Sequence, residues 1–107
     1  MIVYRGFRRH KHGPVVTRDG VFFEAGPSRK VWDHSPDGFE WGYGGSGPAQ
    51  LALALLLDVT GNADEAVLMH QRFKDNVVAG WRSDGRWEIT DAAIRAWLLK
   101  AGGPRQV

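Results

Sequence analysis

Two periodicities divide the chain. Residues 2–8 mix β-branched and aromatic side chains, a composition that suits a strand. Two further short runs, residues 15–18 and 21–24, flank Asp19-Gly20. That dipeptide tolerates the positive φ angles of a type I′ two-residue hairpin loop. The loop sets the register: Arg18 opposes Val21, Thr17 opposes Phe22 and Val16 opposes Phe23. One face then carries Val16, Val21 and Phe23, and this is the face predicted to be buried. Residues 25–47 are rich in turn formers. Ala25-Gly26-Pro27-Ser28 interrupts the sheet, residues 29–32 have room for one more short strand, and Ser35-Pro36-Asp37-Gly38 has the order of a tight turn.

From Pro48 the period changes to that of helices. Pro48 suits a first turn, with Ser46 or Gly47 as the cap. The run Ala49-Gln50-Leu51-Ala52-Leu53-Ala54-Leu55-Leu56-Leu57 is apolar nearly all round. A helix without a polar face is buried on most sides, so this one is predicted to be central, with Leu53 and Leu57 almost fully buried and an end near Thr60-Gly61. A second helix is predicted from Asn62, capped with Glu65 as reciprocal partner, to Gly80, with Ala66, Met69, His70, Phe73 and Val77 as its core stripe. Thr90 caps a third, in which Ile94, Trp97, Leu98 and Ala101 face inward and which Gly102-Gly103-Pro104 ends. Residues 81–89 stay open between loop and strand. The fold class that follows is α+β: a small N-terminal antiparallel sheet of about three strands packed with three helices, the first helix buried. Residues 1–32 read as mainly β, 33–47 as an aromatic and glycine-rich loop, 48–102 as mainly helical and 103–107 as a loose tail, all in a single domain.

Composition narrows the chemistry. The 107 residues include no cysteine, which excludes disulfides, thiolate metal clusters and a cysteine nucleophile. No run of about 18 apolar residues occurs, so no membrane span is expected, and the N-terminus lacks a signal-peptide pattern; a cytoplasmic protein is the default. The net charge of +2 hides a segregation. Residues 1–30 carry seven Lys/Arg against two acids, residues 31–80 two against seven, and residues 81–107 five against three. Such a chain can present a polyanion-binding face or bring its opposite charges together inside one fold.

One stretch supports a family resemblance. His34-Ser35-Pro36, followed by Gly38-Phe39-Glu40-Trp41-Gly42-Tyr43-Gly44-Gly45-Ser46-Gly47-Pro48-Ala49-Gln50-Leu51-Ala52-Leu53-Ala54, resembles the signature of a family of small bacterial proteins defined only as a domain of unknown function. The similarity continues through Gln71-Arg72-Phe73-Lys74 and into the last helix. It implies a small stand-alone intracellular protein. With no activity assigned to the family, it transfers no catalytic role.

Several residue groups are candidates for chemistry. Gly44, Gly45, Ser46 and Gly47 precede the central helix, where free N–H groups and the helix dipole attract anions. The loop lacks the Gly-Lys-Ser/Thr of a Walker A motif, and Pro48 removes one donor. Ser46 is one residue short of a nucleophile elbow, which needs glycine at position 48. His34, Asp37 and Glu40, with Asp33, form the densest titratable group, and Phe39 and Trp41 flank Glu40 closely enough to desolvate it. His10 and His12 lie in a basic patch that repels cations, so no metal site is expected. His70 falls on an apolar stripe, as a hydrogen-bonded core histidine does. Arg5, Arg8, Arg9 and Lys11 are the nucleic-acid candidates, expected to crowd one hairpin tip. Five tryptophans (Trp32, Trp41, Trp81, Trp87 and Trp97) offer core packing or an interface for a protein partner or a second copy. No cofactor motif is complete. The leading expectation is therefore a non-enzymatic binding protein; the alternatives are nucleic-acid binding through the basic segment, or a small enzyme with an anion site at the glycine-rich loop.

Overall fold

The structure, a computed structural model, describes residues 1–102; the tail read at 103–107 lies outside the described residues. Four strands, β1 (Val3–Arg9), β2 (Gly13–Arg18), β3 (Val21–Phe22) and β4 (Trp87–Thr90), form one antiparallel sheet in the order β3-β2-β1-β4. Four helices accompany them: α1 (Gly26–Val31), α2 (Ser46–Thr60), α3 (Ala63–Asn76) and α4 (Asp91–Gly102), with a 3-10 turn at Val78–Gly80. The chain is α+β.

The Asp19-Gly20 hairpin forms in the predicted register, with Thr17 opposite Phe22 and Arg18 opposite Val21. Asp19 and Gly20 both take positive φ, 50° and 82°. The expected inner face needs one correction. Val16 is buried and Phe23 packs against the core, but Val21 is 69% exposed. It stands at the hairpin tip, beside the loop, where no second layer covers the sheet.

Three other expectations are corrected. The sheet has four strands, because Trp87-Glu88-Ile89-Thr90 pairs with β1, setting Gly6 opposite Trp87 and Val3 opposite Thr90. Residues 29–32 do not form a strand; they belong to α1 and its exit. Pro27 presets the first turn, Ser28 Oγ donates to the Ala25 carbonyl, and the Trp32 N–H closes the helix on the Ser28 carbonyl. The cap of α2 is Gly45, in an extended conformation, with Ser46 and Gly47 already in the first turn.

The capping expectations for the later helices hold in part. Asn62 Oδ1 accepts from the Glu65 N–H at 3.0 Å, and Thr90 Oγ1 accepts from the Ala93 N–H at 3.1 Å. Helix α3 ends at Asn76, before Gly80, because Val77 leaves helical geometry and the 3-10 turn follows.

Helix α2 is the centre of the core. Leu51, Leu53, Leu55 and Leu56 are wholly buried, as expected for Leu53. The expectation for Leu57 is corrected, since it is only half-buried, beside a small cavity that Phe23, Ala54 and Asp58 also line. Tyr4 from the sheet, Phe73 and Ala66 from α3, and Ile94 and Leu98 from α4 close around it. All of these contacts lie on one side of the sheet.

Candidate binding surface and its surroundings

Alternation along β1 sends Tyr4, Gly6 and Arg8 inward and Val3, Arg5, Phe7 and Arg9 outward. Inward, the Tyr4 hydroxyl donates to Asp58 on α2, and burial, followed by that hydrogen bond, pushes its pKa up. Gly6 leaves room for the Trp87 indole: a Cβ there would lie 2.1 Å from Trp87 Nε1. Trp87 stacks on Trp81 at 4.2 Å and meets Trp41 edge-on. Arg8 lies 4.3 Å over the Trp41 ring, bonds both carboxylate oxygens of Glu40 at 2.8 and 3.2 Å, and donates to the Ser83 carbonyl. Arg8 therefore binds the sheet to the glycine-rich loop.

The outward residues form a different surface. By register Phe7 opposes Val15, Arg5 opposes Thr17 and Glu88, and Phe22 flanks Thr17 on β3. Val15 is buried although it lies outside the core cluster, and Phe22 is 63% exposed. Phe7, half-buried, likewise takes no part in that cluster. Among the described residues no helix covers this face. Arg5 and Glu88 form an exposed ion pair at 2.9 Å. Arg5, Phe7, Arg86 and Glu88 rim a depression of about 530 Å³ whose floor includes Gly6 and Trp87. Arg9 and Lys11 are exposed at the end of β1 and in the turn that follows, where Lys11 has φ 70°. The four basic candidates do not crowd one hairpin tip: Arg9 and Lys11 stand there, Arg5 lies mid-sheet opposite Thr17 and Glu88, and Arg8 turns inward to Glu40 and Trp41.

The titratable group of the loop is dispersed. Glu40 serves Arg8. Asp37 is exposed and lines an open hollow of about 390 Å³ with Glu40, Ser46 and Gly47, so the start of α2 already has two acids beside it. The Glu40 stem packs on Gly47, where a Cβ would lie 2.6 Å from Glu40 Cβ. Gly44 and Gly45 lie at the rim of this turn without a described side-chain partner that would fix an anion. An anion at this terminus would meet two carboxylates, which works against the helix dipole. Gly42 is required by its φ of 88° and by Ser83, whose Cα would lie 2.4 Å from an added Cβ.

His34 is drawn elsewhere. The buried Gln50 side chain accepts from the His34 and Ser35 N–H groups at 2.7 and 3.1 Å, and donates to Ser28 Oγ and the Trp32 carbonyl. That clamp sets His34 Nε2 2.9 Å from His70 Nε2, under the half-exposed Trp32 ring at 4.6 Å. His70 Nδ1 lies 2.7 Å from the Val67 carbonyl, which only accepts, so Nδ1 carries the proton. His70 Nε2 then accepts and His34 Nε2 donates. Burial lowers both imidazole pKa values; for His34 the neighbouring His70 and Lys74 lower it further while Asp33 opposes them. His70 is the hydrogen-bonded core histidine its periodicity suggests. Among the described residues no three His, Asp or Glu side chains are placed to hold a metal ion.

Phe7 as a surface residue and Gln50 as a clamp are not among the residues that the sequence singles out for function. Each left a signal: Phe7 shares its face with Arg5 and Arg9, and Gln50 is the lone polar residue within an apolar run. The sheet is thus antiparallel, with one face on helices and one bare. The chain belongs to the family of unknown function DUF6166, whose sequence profile matches residues 4–100. No curated protein and no solved structure matches it. No helix among the described residues is long and apolar enough to cross a membrane.

Proposed function

We propose that this is a non-enzymatic binding protein that takes its partner on the bare face of its sheet. One observation carries the reading: Phe7, Val15 and Phe22 share a face that no described helix covers, rimmed by Arg5, Arg9 and Arg86. Apolar side chains grouped on an otherwise polar face mark interaction surfaces more often than isolated ones do. The dispersal of His34, Asp37 and Glu40 into three separate environments supports a binding role over a catalytic one, since acid-base chemistry needs its groups converged on one reacting atom. Trp32 is the only tryptophan among the exposed large hydrophobic residues and lies on the helical side, so tryptophan enters this face only through Trp87, in the floor of the depression. The cytoplasm is taken as the compartment on the sequence expectation alone.

A photo-reactive phenylalanine analogue placed singly at positions 7, 22 and 68 tests the reading in living cells. Leu68, on α3, is an apolar residue more exposed than either, so access alone would favour labelling there. Position-specific adducts from 7 and 22, and none from 68, are expected. Equal labelling from all three, or none from 7 and 22, contradicts the proposal.

A further inference from the structure

We infer that the partner of the bare sheet face is a single-stranded nucleic acid, an inference that rests on the binding role just proposed and names its ligand class. Charge comes first. The face and its end carry Arg5, Arg9, Lys11 and Arg86, against Glu88 on the same rim. The acidic block of the chain, residues 31–80, lies in the loop and in helices α2 and α3. Four of its seven acids are already paired, with Arg8, Arg18, Arg29 and Lys74, so the cations of the sheet face are a local excess, which favours an anionic partner there. A second copy docked face to face would bring two surfaces with the same excess of cations together, which that charge disfavours.

Aromatic placement comes second, and it separates a nucleic acid from an acidic protein. Phe7 stands on an inner strand and Phe22 on the edge, with Val15 and Thr17 between them. Two strand spacings and two residues of offset separate their Cα atoms by roughly 12 Å. Phe7 has Arg5 and Arg86 beside it, and Phe22 stands 63% exposed at the sheet edge, next to a hollow that Arg29 and Glu24 also line. Exposed rings of this kind suit a stacking platform, on which bases lie on rings while phosphates reach guanidinium and ammonium groups. The depression beside Phe7, about 530 Å³ and flanked by Arg5 and Arg86, gives one base a seat, and the Glu88 carboxylate on its rim can accept from a base amino group.

The same spacing selects single strands. In a duplex, neighbouring bases along one strand are about 3.4 Å apart and stacked on each other, so they cannot also lie on two rings of a sheet. Bases splayed out of a single strand can. The face offers no protruding helix for a major groove, and its flat centre has no geometry that reads a duplex from outside.

The test is fluorescence anisotropy of the whole chain with labelled 20-nucleotide oligo(dT), oligo(rU) and mixed-sequence duplex at 50 and 200 mM salt. Both single strands are expected to bind more tightly than the duplex, with log K falling by about 0.7 per phosphate contact for each log unit of salt. Phe7→Ala and Phe22→Ala should each weaken single-strand binding by about 5- to 100-fold, the range for losing one stacked base. Arg9→Ala should reduce the salt slope by about 0.7. Lys100→Ala, which removes the same charge from α4, should leave affinity and slope nearly unchanged. Circular dichroism melts of each variant establish that it is folded before its affinity is read. No single-strand binding at 50 mM salt, a preference for duplex, or binding that both phenylalanine variants leave intact each overturns the inference. If cross-links from positions 7 and 22 nevertheless form to a protein, or light scattering finds a dimer that Phe22→Ala dissolves, the ligand class fails and the bare face remains a binding surface. Loss of both results removes both.

Discussion

Gln50 shows how much one side chain can organise. It is the one polar residue between Pro48 and Leu57, wholly buried, and all four of its contacts are to α1 and the loop that leaves it. Gln50→Leu keeps the volume but leaves two N–H groups and a carbonyl unpaired, so it is expected to cost about 2–4 kcal/mol in urea denaturation. A loss under about 1 kcal/mol would mean that water replaces the clamp. The His34–His70 pair that Gln50 positions makes a pH prediction. Both imidazoles titrate below their ordinary value of 6.5 in the folded state. The unfolded chain then binds more protons under mildly acid conditions, so the pair's contribution to stability is complete above pH 6.5 and is lost as pH falls through the folded values. Lys74 reinforces that direction at both rings, and Asp33 opposes it at His34. Imidazole NMR titration should give apparent pKa values for the pair below 6.5; values at or above it contradict the geometry. The lone glutamine in an apolar run was visible in the sequence. Its partners were not, because Ser28, Trp32, His34 and Ser35 come to it only through the turn at 32–38.

At the scale of elements, local signals carried far and long-range pairing did not. The Asp19-Gly20 loop, the Asn62 and Thr90 caps and the Gly61 stop, with its left-handed φ of 64°, could all be read locally. The six residues of α1 include none of the periodicity that distinguishes a longer helix, and Val31, with Trp32 just beyond its end, suits a strand equally well. Strand β4 has no local signal for its pairing, because its partner, β1, lies more than 80 residues away in sequence. Helix α2 was read correctly as central, but its faces are unequal. Leu53→Ala is expected to cost about 2–5 kcal/mol, and Leu57→Ala, at the half-buried edge, distinctly less. Equal losses would mean that the small cavity beside Leu57 closes in solution. Gly6→Ala tests the β1–β4 seam: the added methyl displaces the Trp87 indole, and a loss of about 1–3 kcal/mol is expected from the overpacking.

Over the whole molecule, the sheet has one face on helices and the other toward solvent, with the loop and α2–α3 holding the acidic block. The candidate site was only partly legible. The basic residues Arg5, Arg9 and Lys11 were singled out from charge alone, and the sequence grouped Arg8 with them; a strand alternates its side chains, so Arg8 faces Glu40 and Trp41 instead. Phe7 and Phe22 were seen as strand residues, yet nothing local says which face the helices will leave bare. The most direct measurement is an NMR titration of the labelled protein with a short single-stranded oligonucleotide, following backbone and aromatic signals together. Shifts centred on Arg5, Phe7, Arg9, Val15, Thr17 and Phe22, with Leu68 on α3 and Leu99 on α4 unmoved, are what a binding surface on the sheet predicts. Shifts centred on the helical side, or none anywhere at low salt, would contradict the assignment of this face to single-stranded nucleic acid.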